Sequence, residues 1–146
     1  EDVPAGPGKT NLKLGEIAIS FALPPRAVGS GDAYLRMIPR TEMDIAVVGA
    51  GARVTLADDG SIEQAVLALG AVAPTVVRIP DAEQALLGST ADEETLNAVA
   101  AAASAACNPI DDKRGTVEYR KQVAGVLAKR AVVIAIERAE QRNGSN

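Results

Sequence analysis

The sequence predicts an α+β domain: a small antiparallel sheet of three to four strands packed against a C-terminal layer of about three helices. Period-two and Val/Ile-rich apolar runs fill the first half of the chain, up to about Ile79. After Pro80 the composition turns alanine-rich and helix-forming. Strands therefore come first and helices second, the order of an α+β rather than an α/β fold. At 146 residues and 15.0 kDa the chain has room for one domain. A chain of this length buries roughly 68–70% of its unfolded surface, enough for a core without staples.

Residues 1–11 hold two Pro and two Gly and read as an irregular lead-in. From Leu12 to Pro24, Ile17, Ile19, Phe21 and Leu23 alternate with Ala18, Ser20 and Ala22, the pattern of a strand. Pro24 and Pro25 end it, because neither can donate to a ladder. Gly29, Ser30 and Gly31 read as a flexible loop, and Ala33–Ile38 as a second strand closed by Pro39. Asp44–Ala57 is a third candidate. Asp58-Asp59-Gly60 supplies hairpin-turn chemistry, and Ile62–Leu69 returns antiparallel. Val76–Ile79 is a further edge segment.

Asp81 can cap a short helix ending at Gly88. Thr90 and Glu93 have capping-box spacing ahead of a helix over Asp92–Cys107, which Asn108-Pro109 stops. Thr116 can cap a last helix running to about Gln141, ~38 Å long at 1.5 Å per residue. Val123, Val126, Leu127, Val133 and Ile134 give that helix an apolar stripe. Arg138 and Arg142 suit its C-terminal dipole.

Composition excludes several chemistries. Hydrophobic residues are 47% and charged residues 23%, values of a folded domain. A net charge of −4 argues against a nucleic-acid or anionic-membrane partner, and 2% aromatics are too few for base stacking. With no histidine, imidazole-based catalysis and imidazole metal sites are gone. The single cysteine, Cys107, precludes an internal disulfide and suits a reducing, cytoplasmic setting. It reads as a small buried hydrophobe. No run is long and apolar enough for a membrane span, and no signal-peptide pattern opens the chain. The chain begins at Glu1 rather than Met, as a processed or excised piece would.

Two segments imitate cofactor loops. Asp44–Gly51, DIAVVGAG, runs an apolar strand into Gly-x-Gly, but Val54 occupies the place of the third glycine and a β-rich stretch follows where a helix is required. Gly49 and Gly51 are better read as permitting a bulge or close packing within a strand. Gly6–Thr10, GPGKT, has Val3 where a P-loop needs glycine. Asp111 and Asp112 beside Lys113 and Arg114 read as an ion-paired helix start rather than a metal site. Glu118, Arg120 and Lys121 read as a solvated face.

Asn108–Lys121, NPIDDKRGTVEYRK, followed by VAGVLAKRAV, resembles the C-terminal signature of the FAD-carrying medium subunit of molybdenum hydroxylases. That group includes carbon-monoxide dehydrogenase and the xanthine-dehydrogenase family. Gly8-Lys9-Thr10 with Leu14-Gly15-Glu16-Ile17, and Ala33-Tyr34-Leu35-Arg36 with Arg40-Thr41-x-Met43-Asp44-Ile45-Ala46, resemble two more of its stretches in order. Together the matches run from about Gly8 to Ala131. The resemblance implies a CO dehydrogenase flavoprotein C-terminal domain-like fold over residues 25–146. Residues 1–24 would be a tail and strand leading from an FAD-binding domain not in this chain.

The function implied is to help hold FAD and pass electrons from [2Fe–2S] clusters to an acceptor. The cofactor would be shared with an N-terminal FAD-binding domain. The implied partners are an iron–sulfur small subunit and a molybdopterin large subunit. Arg36 matches the family's cation near the flavin, and Ala18 a position where backbone meets it. Arg40, Thr41 and Glu42 would follow in a loop near the flavin's open face. Alternatives are a non-enzymatic subunit-docking module without flavin contact and, less favoured, a nucleotide-binding protein.

Overall fold

The structure is a computed structural model that describes residues 3–41 and 43–143. A short hairpin, β1 (Pro4–Gly6) with β2 (Lys9–Thr10), opens the chain. The main sheet then runs β3 (Ser30–Met37), β4 (Val48–Leu56), β5 (Ile62–Gly70) and β6 (Val77–Arg78) in sequential antiparallel order. Helices α1 (Pro80–Leu86), α2 (Glu93–Ala106) and α3 (Val117–Asn143) follow. This is the α+β arrangement that the change of period at Pro80 predicts. None of the described helices is long and apolar enough to cross a membrane.

Register explains which side of the sheet is covered. Ala33 faces Ala52 and Leu67, and Leu35 faces Ala50 and Leu69. Side chains alternate across a strand, so these all lie on the helix side, where Ala50, Ala52, Leu67 and Leu69 are buried. The other side carries Asp32, Tyr34, Arg36, Gly49, Gly51, Arg53 and Gln64 and has no helix over it. The Asp58-Asp59-Gly60 turn forms as expected, with Asp59 Oδ1 accepting from the Ser61 amide at 2.9 Å and Gly60 at φ 84°.

The last helix buries a different stripe from the one expected. Ala124, Ala128, Ala131, Ala135 and Ala139, with Val132, are the apolar side chains of α3 shut away from solvent. Val123, Leu127, Val133 and Ile134 are half-buried, and Val126 is 47% exposed. Small side chains let the helix approach β3 and β4 closely. At Gly31 an added Cβ would collide with the Ala135 carbonyl. Ser30 and Gly31 are thus strand residues, with Gly31 under a helix, not part of the flexible loop expected over Gly29, Ser30 and Gly31.

Three local expectations are corrected. Asp92, not Thr90, caps α2, accepting from the Thr95 amide at 2.8 Å, and Glu93 turns outward to Lys129 at 2.6 Å. Asp81 lies inside α1, which starts at Pro80 with no side-chain cap. Proline at the first position leaves one fewer amide to satisfy, so a cap is dispensable. Finally, residues 12–24 form no ladder within the described chain: they run exposed without a strand partner. The alternation is genuine, but a strand exists only where another backbone pairs with it.

Candidate functional site

The exposed side of β3 is the focus of the sequence expectations. Tyr34 stands there at 65% exposure, cross-strand from Gly51, with Arg36 opposite Gly49. A Cβ on Gly49 would lie 2.6 Å from the Tyr34 hydroxyl oxygen, and one on Gly51 3.8 Å from the ring. The Gly-x-Gly of DIAVVGAG therefore clears the sheet surface for a tyrosine ring to lie across it. Register is regular at both glycines, and the irregularity falls at Thr55/Leu56 instead.

Arg36 is exposed, and its guanidinium has no hydrogen-bond or ion-pair partner among the described residues. Ala18 lies in the unladdered stretch, exposed like its neighbours. No hydrogen bond joins the two within the described chain. Arg40 is spent on Asp44, whose Oδ2 it reaches at 3.0 Å. That hydrogen bond, with the Ile45 amide and the nearby Arg114, holds the Asp44 carboxyl below its ordinary value. Thr41 is exposed, and Glu42 lies outside the described residues.

Beside β3, a groove of about 1000 Å³ opens between α2, α3 and the edge of the sheet. Leu35, Val126, Leu127, Val133 and Ile134 give it an apolar lining, Lys129 and Arg130 bring positive charge, and Arg36 borders it at the sheet edge. Val126, Leu127, Val133 and Ile134 of that wall belong to the apolar stripe read from the sequence of the last helix.

The Asn108–Arg120 signature proves to be a structural junction. Asp111 Oδ1 accepts from the Val117 amide at 2.6 Å, and Thr116 Oγ1 from the Tyr119 amide at 3.2 Å, so two side chains cap α3. Asp112 Oδ1 accepts from the Arg114 amide at 2.8 Å and from Arg120 at 2.7 Å. The Arg114 amide, then Arg120, depress the Asp112 pKa. The ion-paired helix start is as expected, but Arg120 is not on a solvated face: it is 3% exposed. Its guanidinium also donates to the carbonyls of Val47 at 2.8 Å and Ala71 at 3.4 Å, tying the start of β4 and the end of β5 to α3. Periodicity could not reveal this, because the partners are main-chain carbonyls far away in sequence.

Among the described residues, no cluster of His, Cys, Asp and Glu could hold a metal. Cys107 is buried as expected, its Sγ donating to the Ala103 carbonyl at 3.1 Å. Burial raises its thiol pKa.

Sheet, helix layer and signature junction together define an α+β domain that presents an open sheet face and, within the described residues, an unladdered leading segment. The sequence matches the CO dehydrogenase flavoprotein C-terminal domain family over residues 33–135, and the chain belongs to that family. It is 35% identical over 124 residues to the carbon monoxide dehydrogenase medium chain of Hydrogenophaga pseudoflava, covering 84% of this chain and 42% of that one. It is 30% identical over 135 residues to the xanthine dehydrogenase FAD-binding subunit of Escherichia coli O157:H7, covering 92% and 46%.

Among solved structures, carbon monoxide dehydrogenase from Hydrogenophaga pseudoflava superposes with a TM-score of 0.86 at 35% identity, over 91% of this chain and 46% of that one. Quinoline 2-oxidoreductase from Pseudomonas putida 86 gives 0.85 at 27% identity, over 94% and 47%. The chain thus spans less than half the length of these relatives.

Proposed function

We propose that this chain is the C-terminal domain of the FAD subunit of a molybdenum hydroxylase, holding FAD jointly with an N-terminal FAD-binding domain. The observation that carries the reading is the leading segment. Ile17, Ile19, Phe21 and Leu23 are each between 78% and 89% exposed, on a period-two backbone with no ladder. Exposed apolar side chains in such a row are costly in water at about 25 cal/mol per Å². Pairing with a sheet of the FAD-binding domain covers them and satisfies the backbone, with residues 1–24 as the connecting tail and strand.

The residues present fit a flavin at its ring. Arg36 offers a guanidinium with no partner among the described residues, and the unladdered backbone at Ala18 offers a free amide and carbonyl. When bound, FAD supplies the capacity to take electrons from the [2Fe–2S] clusters of a partner subunit and deliver them to an acceptor. Arg36 stabilises negative charge on the ring. Tyr34, lying over Gly49, blocks part of the sheet surface beside it. The Arg120 junction fixes the ends of β4 and β5, and β4 pairs with the strand that carries both. Within such a complex the iron–sulfur and molybdopterin subunits are the other partners.

The test is reconstitution of the chain with its FAD-binding domain, comparing Arg36→Ala with the parent. The variant is expected to lower the flavin midpoint potential by about 30 mV, a tenfold change for a two-electron couple. Unchanged potential and unchanged FAD affinity would overturn the role of Arg36 and leave a subunit-docking module without flavin contact.

A further inference from the structure

β3 has a strand neighbour on one side only. Its odd-numbered residues turn their peptide groups toward β4, as the Gly29 carbonyl does in accepting from the Leu56 amide at 3.0 Å. The even-numbered residues, Ser30, Asp32, Tyr34 and Arg36, therefore point their peptide groups off the free edge. Half of that edge is already closed by side chains of α3. Arg142 donates to the Ser30 carbonyl at 2.9 Å, and Arg138 to the Asp32 carbonyl at 2.7 Å. The peptide groups of Tyr34 and Arg36 have no such cover among the described residues.

That open half borders the apolar groove. Leu35, Val133 and Ile134 contribute to its wall, and no carboxylate lines it. Arg130 from α3 reaches it without an ion-pair partner among the described residues, whereas Lys129 is taken by Glu93 and Asn97. Arg36 borders it at the edge of β3, on the strand position whose side chain belongs to the helix-free side.

We propose that an extended acidic segment of another polypeptide pairs with β3 at Tyr34–Arg36 and lays its side chains into this groove. Main-chain bonds at a short open edge give attachment, and alternate side chains meeting apolar and cationic walls give specificity. The two arginine caps set the limit, stopping the pairing before Asp32. A second copy of this chain is a poor occupant. Its own unpaired stretch, Leu12–Pro24, carries one acid and one base, Glu16 and Lys13, and so has no surplus negative charge. The inference goes beyond the flavin reading and does not depend on it.

A fluorophore-labelled peptide of alternating Glu and Val tests this on the full chain, against its Lys-for-Glu counterpart, by anisotropy and hydrogen exchange at low salt. The acidic peptide is expected to bind at least about tenfold more tightly and to slow exchange at Tyr34 and Arg36 but not at Ser30. Arg130→Glu, at an exposed helix position, is expected to abolish that preference while leaving the far-ultraviolet spectrum unchanged. Equal affinities, or a preference that survives Arg130→Glu, overturns the proposal. So does protection of Tyr34 that rises with chain concentration in the absence of peptide, which makes a second copy the occupant.

Discussion

Arg120 and Asp112 face each other across the start of α3, guanidinium to carboxylate at 2.7 Å, with the arginine side chain 4% exposed and the aspartate 28%. This pair joins the signature loop to the sheet, because the same guanidinium holds the Val47 and Ala71 carbonyls. Removing it leaves the buried Val47 carbonyl without this donor. Arg120→Ala is therefore expected to cost about 3 kcal/mol in urea denaturation, with the slope unchanged. A loss below about 1 kcal/mol would show that water replaces the arginine.

The acid dependence follows from the same carboxylate. The Arg114 amide and then Arg120 hold Asp112 below its ordinary 3.8 in the folded chain. A depressed pKa contributes stability above the unfolded value and loses it as pH falls through the folded one. The urea midpoint should stay level down to about pH 5 and fall below about pH 4. Asp112→Asn should lessen that acid fall without removing it, since Asp44, Asp59 and Asp92 are depressed as well. An identical acid profile in the variant would contradict the assignment.

Close approach of α3 to β3 makes Gly31 sensitive. Gly31→Ala drives a methyl group into the Ala135 backbone and is expected to destabilise by about 2 kcal/mol. Gly70 has no atom within 4 Å of an added Cβ, and Gly70→Ala should change stability by less than about 0.5 kcal/mol. Thermal melts of the two variants decide whether backbone contact, rather than glycine content, is at work.

Cys107 should resist modification. Burial and a raised thiol pKa keep thiolate scarce and out of reach, so a disulfide reagent at neutral pH should react only after denaturant is added. Rapid labelling of the native chain would show that the α2 end opens.

Much of this architecture was legible in the amino-acid order, and the exceptions share one cause. The returning strand at Ile62–Leu69 and the turn at Asp58–Gly60 depend on neighbouring residues, and both appear as expected. Arg120, Gly31 and the alanine stripe of α3 depend on what lies opposite in space, which local pattern does not carry. Leu12–Pro24 shows the converse: the period is that of a strand, but no partner backbone lies within the described chain. At Arg36 the sequence places a cation, and the fold leaves it exposed and unpaired within the described chain. The flavin role proposed for it rests on family resemblance.

Hydrogen exchange across Ile17–Leu23, with and without the FAD-binding domain, bears most directly on a chain that completes its flavin site with a neighbour. These amides should exchange at nearly unprotected rates in the isolated chain and slow by about a hundredfold or more in the assembled pair, as ladder bonds form. Fast exchange in both states, with FAD held normally, would contradict the account.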